Sequence, residues 1–223
     1  MKLSDIEERL ISGLITDETI AQFKTALKRA PKRNRCEHCY TTAVAFPKKH
    51  WEEAIALIQY GLTEPSGWWV DDMRAYTNMG IVYEGAERYS EALLVYQQAL
   101  GAVPDEHRPS YESDYAADFM RVEMHNNGFC YTEDLKAYYE VAMKGSDFSK
   151  AFLHRTFYQL LAEMLIYAND NEPAKARQAC EKAKAMLSPA HQGILSRLLA
   201  RHKYTETAGA TKAAIRFLST WRA

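Results

Sequence analysis

Between Met73 and Glu106 the apolar and small residues fall into two helical stripes separated by a polar turn. Tyr76, Met79, Gly80 and Tyr83 share one face of a first helix, Ala92, Tyr96 and Ala99 share one face of a second, and Pro104 closes the unit. The spacing predicts two antiparallel helices that approach closely at Gly80, Ala92 and Ala99, with the three tyrosines filling the space above and below that contact. Caps and breakers extend the pattern over the chain. Ser4 and Glu7 have capping-box spacing for a short first helix, and Gly13 with Thr16 and Asp17 separates it from a second helix that ends near Ala30. Further pairs are predicted over 33–46 and 48–62, 67–85 and 88–102, 109–126 and 132–144, 147–168 and 172–187, and 189–202 and 205–221. The expectation is an all-α chain of about six antiparallel helical hairpins with no sheet, and no break between them has the length of a domain linker.

The unit at 73–106 resembles the tetratricopeptide repeat family. That family places an aromatic, a large aliphatic, a glycine and a tyrosine on its first helix, then alanine, aromatic and alanine on its second, with a proline at the end. From 157 to 189 the match is thinner: Leu160, Tyr167, Ala176, Cys180 and Ala183 fall on the corresponding places, while Glu163 and Met164 replace the aliphatic and the glycine. The stretch 35–65 fits through Ala54, Ile58 and Gly61, and 118–145 only through Ala137 and Val141. The resemblance implies one continuous α-solenoid over 1–223, with 1–31 and 189–223 as capping hairpins. It also implies that the first helix of each hairpin lines a concave groove. On the faces opposite the packing residues this selects Arg74, Thr77, Asn78, Ile81 and Glu84 in the best repeat. The other repeats add Tyr40 with Cys36, Cys39, Ala43 and Phe46, then Phe119, Val122 and Glu123, then Tyr158, Leu161 and Leu165.

Composition narrows the class of protein. The 223 residues contain only 10 Gly and 7 Pro, and 47% are hydrophobic, which fits long helices better than many short strands. Four cysteines are too few for a disulfide scaffold, and the N-terminus carries no charged-then-apolar leader, so a cytoplasmic setting without a membrane span is expected. The net charge of -1 conceals segregation: residues 63–147 carry -10 and residues 171–223 carry +7. Such a field steers a basic partner toward the middle of the chain, or brings two copies together.

Motifs for chemistry are sparse. Cys36 and Cys39 stand on one helix face near His38 and His50, which raises a metal or redox site, but no second ligand pair accompanies them. The His-Asn-Asn-Gly run at 125–128 reads as a helix terminus with Gly128 in a left-handed cap. The basic run from Lys28 to Arg35 lacks interleaved aromatics and complements a helix C-terminus, which disfavours nucleic acid as the partner. No phosphate-cradling glycine loop, nucleophile elbow or metalloprotease motif occurs. The expected function is therefore non-catalytic and needs no cofactor: a module that holds a protein or peptide segment in the groove, in its specific form a cytosolic neutraliser of a basic protein. A self-associating scaffold or homodimer is the alternative, and a metal or redox protein built on Cys36 and Cys39 the third reading.

Overall fold

The computed structural model describes residues 2–64, 66–144 and 153–185. Among them are ten α-helices and two short 3₁₀ turns, and no strand. The helices are α1 (Leu3–Ile11), α2 (Asp17–Leu27), α3 (Arg35–Val44), α4 (Trp51–Leu62), α5 (Trp69–Gly85), α6 (Tyr89–Ala102), α7 (Arg108–Asn126), α8 (Glu133–Met143), α9 (Leu153–Asn169) and α10 (Pro173–Ala185). The hairpin expected from 189 onward lies outside the described residues. The chain forms two compact units, Met1–Tyr111 and Glu112–Ala223.

In the first unit, α1 pairs with α2, α3 with α4 and α5 with α6; α3 also packs on α1 and on α5. Their buried faces merge into one core that runs from Ile6 and Leu10 through Phe23, Leu27, Leu57 and Ile58 to Met79 and Val95. The pairs close through residues that lack bulk. A Cβ on Gly80 would lie 2.5 Å from the Tyr96 ring, and one on Gly61 would lie 2.6 Å from the Cβ of Cys39. Tyr96 is buried over Gly80 and donates its hydroxyl hydrogen to Glu84 Oε1 at 2.5 Å, while Ala92 and Ala99 flank it with no exposed surface.

Local chemistry sets the helix ends. The Thr16 side chain accepts the Thr19 N–H at 3.1 Å and starts α2. The first helix begins earlier than its expected cap: the Lys2 N–H donates to the Asp5 carboxylate at 3.1 Å, so Ser4 lies inside α1. Asp5 thus serves the N–H of Lys2, two residues before the position at which the Ser4 and Glu7 box was expected. Arg35 closes the far ends of α2 and α4. Its guanidinium donates to the carbonyls of Lys28 at 2.7 Å and Ala30 at 3.2 Å, and pairs with Glu64 at 3.0 Å. One cation of the basic run is thus committed to capping a helix C-terminus.

The second unit is organised about α9, which packs against both α8 and α10. From Phe157 to Ile166 every α9 side chain except Glu163 is buried, the polar Gln159 among them, so the helix is enclosed well beyond a single apolar stripe. Against it α10 sets Ala176, Ala179, Cys180 and Ala183, all buried. Helix α8 differs from the expected register: Ala137 is exposed and Val141 half-buried, while Leu135 and Ala142 are buried. Thr132 fixes this rotation by accepting the Leu135 N–H at 3.0 Å, which starts the helix with Leu135 facing inward. At the end of α7, Gly128 has φ 61°, the left-handed geometry that its sequence predicts. Phe129 shares that conformation at φ 61°, and its buried ring meets His125 edge-on at 4.9 Å.

The close contact at Gly80 and the ion pair at Arg35 each predict a measurable change in stability. Gly80→Ala gains roughly 1 kcal/mol of helix propensity but forces Tyr96 off its seat, an overpacking cost of about 3 kcal/mol in a ring already fixed by Glu84. Thermal melts are expected to show a clear net loss, partly restored when Tyr96→Leu is added; an unchanged melting temperature in Gly80→Ala would contradict the contact. Arg35 holds the Glu64 carboxyl below the ordinary carboxylate range through its hydrogen bond and charge. The folded pKa therefore lies under the unfolded value of about 4.3, so this stabilisation is complete above that pH and disappears as pH falls through the folded value. Arg35→Ala is expected to cost about 2 kcal/mol at neutral pH. In denaturant titrations the deficit should shrink below pH 4, and a deficit that stays constant down to pH 3 would remove the ion pair from the account.

Candidate functional site

Helices α3 and α5 begin 34 residues apart in sequence and lie side by side, and their N-terminal ends share a cleft. Arg33, Asn34 and Glu37 line it from the start of α3; Ser66, Gly67, Trp68, Asp71 and Arg74 line it from the start of α5, around a volume of about 370 Å³. The approach to α5 is fixed locally. Gly67 takes φ 79°, and the Ser66 hydroxyl oxygen accepts the Trp68 N–H at 3.1 Å, leaving the indole 54% exposed.

Asp71 is the third residue of α5, as Glu37 is of α3, a position where a carboxylate complements the helix N-terminus. Yet Asp71 is only 4% exposed. Its carboxylate accepts from the Tyr40 hydroxyl at 3.5 Å, the outer limit of a hydrogen bond. Neighbouring groups feel this buried charge. Burial, then Asp71, raises the Asp72 carboxyl; burial, then Asp71 and Asp72, pushes the Cys36 thiol up to about 12. Burial likewise raises the Tyr40 hydroxyl, partly offset by the Arg74 guanidinium.

The residues expected in a groove divide sharply. On α5, Arg74 is exposed and Ile81 is 47% exposed. They share a face with Asn78, whose amide donates to the Arg74 carbonyl at 2.8 Å. Thr77 donates to the Met73 carbonyl at 2.8 Å, and Glu84 holds Tyr96, so both are engaged within the hairpin. Tyr40 is buried beside Asp71 rather than open, as are Cys36, Cys39, Ala43 and Phe46 around it. In the second unit Phe119, Val122, Tyr158, Leu161 and Leu165 are all buried. The physical reason is that α9 is enclosed on every side, so its face opposite α10 is core as well. Tyr158 hydrogen-bonds His125 at 2.7 Å, and Phe119 meets the Tyr138 ring at 5.3 Å. Glu123 is buried too, tying α7 to the start of α8 by accepting from Asn127 and from Thr132 at 3.0 Å.

The sequence pattern of a groove passes over Trp68 and Asp71. A signal for them exists in the repeat period: Asn34 and Trp68, Glu37 and Asp71, and Tyr40 and Arg74 are each 34 positions apart.

The cysteine pair is a packing feature. Both thiols are buried, Cys39 against Gly61, and burial is the first cause that pushes each up to about 12. A nucleophilic thiol requires the opposite shift. Among the described residues no group of three or more His, Cys, Asp and Glu stands together for a metal, and no helix is long and apolar enough to cross a membrane. Treatment of the native protein with an aromatic disulfide reagent at pH 8 is expected to leave Cys36 and Cys39 unmodified in peptide mass spectra, with denaturant exposing both; modification of both without denaturant would overturn this. Compared with protein-family models, curated proteins and solved structures, the chain matches none.

Proposed function

We propose that the chain is a non-catalytic helical-repeat protein of tetratricopeptide type, which holds a protein or peptide segment on the face of α5 that carries Arg74, Asn78 and Ile81. The observation that carries this reading is Ile81, a large aliphatic left 47% exposed. It sits on a helix whose other faces are closed by α3, α4 and α6. Aliphatic surface of this kind, flanked by an arginine and an amide, suits a partner's apolar side chain held in register by hydrogen bonds. The repeat reading is supported by the order of packing in the first unit, where α1, α3 and α5 succeed one another as neighbours and α2, α4 and α6 are their partners. The solenoid is the extension of that order, one hairpin laid on the next.

The partner is basic. Residues 63–147 carry -10, which accelerates encounter with a positively charged surface. A neutraliser of a basic protein in the cytoplasm is the specific form of this function. The +7 of residues 171–223 favours a second reading, self-association of oppositely charged segments. Sizing chromatography separates the two, because such an assembly dissociates as salt rises.

The binding face is tested with an array of random peptides. The wild-type chain should retain a set enriched in Lys and Arg, and Ile81→Glu should weaken retention at least tenfold with helicity unchanged by circular dichroism. Leu94→Glu makes the same change at a 60% exposed site on α6 and should leave retention intact. Equal retention by wild type and Ile81→Glu would remove this face from the function.

A further inference from the structure

The cleft between the starts of α3 and α5 contains a carboxylate that the fold leaves under-provided. Asp71 is withdrawn from solvent, being 4% exposed, and its carboxylate receives the Tyr40 hydroxyl at the long distance of 3.5 Å. Among the described residues no Lys or Arg forms an ion pair with it, and the Tyr40 hydroxyl is the one hydrogen-bond donor to its side chain. Buried carboxylates are ordinarily paired or given several donors, since removing the charge from water without them is costly. Its position near the N-terminus of α5 accounts for the sign of the charge but not for its burial beside a cleft of about 370 Å³. At the same cleft stands Trp68, 54% exposed, a large aromatic surface that the surrounding fold leaves uncovered.

We propose that this cleft receives an arginine side chain of the partner, its guanidinium reaching the Asp71 carboxylate while its plane or aliphatic stem lies on the Trp68 indole. A guanidinium supplies what the site lacks: several donors for one carboxylate, and a flat cation suited to an aromatic face. Arg33 and Arg74 also line the cleft, and the Arg74 guanidinium reaches the Tyr40 hydroxyl rather than the carboxylate itself; both arginines are exposed, and water screens their repulsion more than it screens the attraction of a buried carboxylate. Glu37 adds a negative charge to the lining. The upward displacement of the Asp72 carboxyl and the Cys36 thiol, to which Asp71 contributes, agrees with a negative potential around this carboxylate. This inference rests on the reading of the chain as a binder of basic proteins and assigns that partner a specific anchor.

The test uses probes too small to reach from the cleft to Ile81. The full chain is titrated with N-acetyl-arginine amide, N-acetyl-citrulline amide and N-acetyl-glutamate amide, following the Gly67 amide and the Trp68 indole by ¹⁵N-resolved NMR. The arginine probe is expected to shift both signals saturably. Citrulline, the same shape without the charge, should bind at least fivefold more weakly, and glutamate should cause no saturable shift. Asp71→Asn should weaken the arginine probe at least fivefold. Should that variant fail to fold, Trp68→Ala at an exposed position, followed at Gly67, carries the same expectation. Glu87→Gln, an exposed acid elsewhere in the acidic stretch, and Ile81→Glu should both leave the titration unchanged. Equal binding of arginine and citrulline, no saturable shift in the wild type, or full binding by Trp68→Ala overturns the arginine site. Any of these results with the peptide-array loss in Ile81→Glu intact leaves the α5 face standing, whereas equal array retention by wild type and Ile81→Glu, with the arginine titration as expected, strikes the face and not the cleft.

Discussion

The first unit depends on helices being able to approach at positions that carry almost no side chain. Gly80 lies under the Tyr96 ring and Gly61 under Cys39, and at each a single added carbon would fall within 2.6 Å of its neighbour. Close approach has two consequences. It lets Ala92, Tyr96 and Ala99 bury almost completely, and it fixes the rotation of α5 about its own axis, because only one face of that helix offers a glycine to Tyr96. With the rotation fixed, Met79 goes to the core and Ile81 goes to water. The exposure of Ile81 is therefore set by the contact at Gly80, not by any property of Ile81 itself.

The same rotation determines the cleft. Asp71 lies nine residues before Gly80, two and a half helical turns, on the side of α5 that faces α3 and Tyr40. Trp68 lies outside the first turn and is free of the core because the Ser66 to Gly67 turn delivers the chain to α5 from the solvent side. Since α3 starts 34 residues earlier with Asn34 and Glu37 at the equivalent places, the cleft is formed by corresponding ends of two successive hairpins. Stacking repeated units brings such ends together without any residue having to be recruited from a distant part of the sequence.

How far the sequence discloses this arrangement depends on whether a residue's environment is local. The α5–α6 hairpin was legible because glycine and alanine at helical spacing have one good explanation, close packing of two helices. The exposure of Ala137 was not, because the start of α8 is decided by the Thr132 cap, and a small change in that start turns the whole helix. The groove positions on α9 failed for a reason visible in their own neighbourhood: Leu160, Leu161, Ala162, Met164, Leu165 and Ile166 cover all of the helix but the strip of Gln159 and Glu163, the mark of an enclosed helix rather than one with an open apolar-edged face. Asp71 and Trp68 were hidden for a different reason. Both look like ordinary residues of a helix start, one just before the first turn and one in it, and only the accessibility of one and the burial of the other separate them from any other helix start.

The acidic stretch also changes meaning once its carboxylates are placed. Glu64 is held by Arg35, Glu84 receives Tyr96, Glu91 pairs with Arg88, Asp105 with Arg108, Asp118 with Arg121, and Glu123 binds Asn127 and Thr132. These partners do not alter the net -10 of residues 63–147, because the pairing cations are already counted or lie outside the stretch. Long-range attraction, which depends on the sum, survives internal pairing, whereas close recognition depends on which carboxylates still lack a partner. A stretch can therefore steer a basic protein with all its acids and yet grip it with very few. In the first unit the acid whose burial is least matched by donors is Asp71, and it lies at the end of the helix whose exposed face presents Ile81.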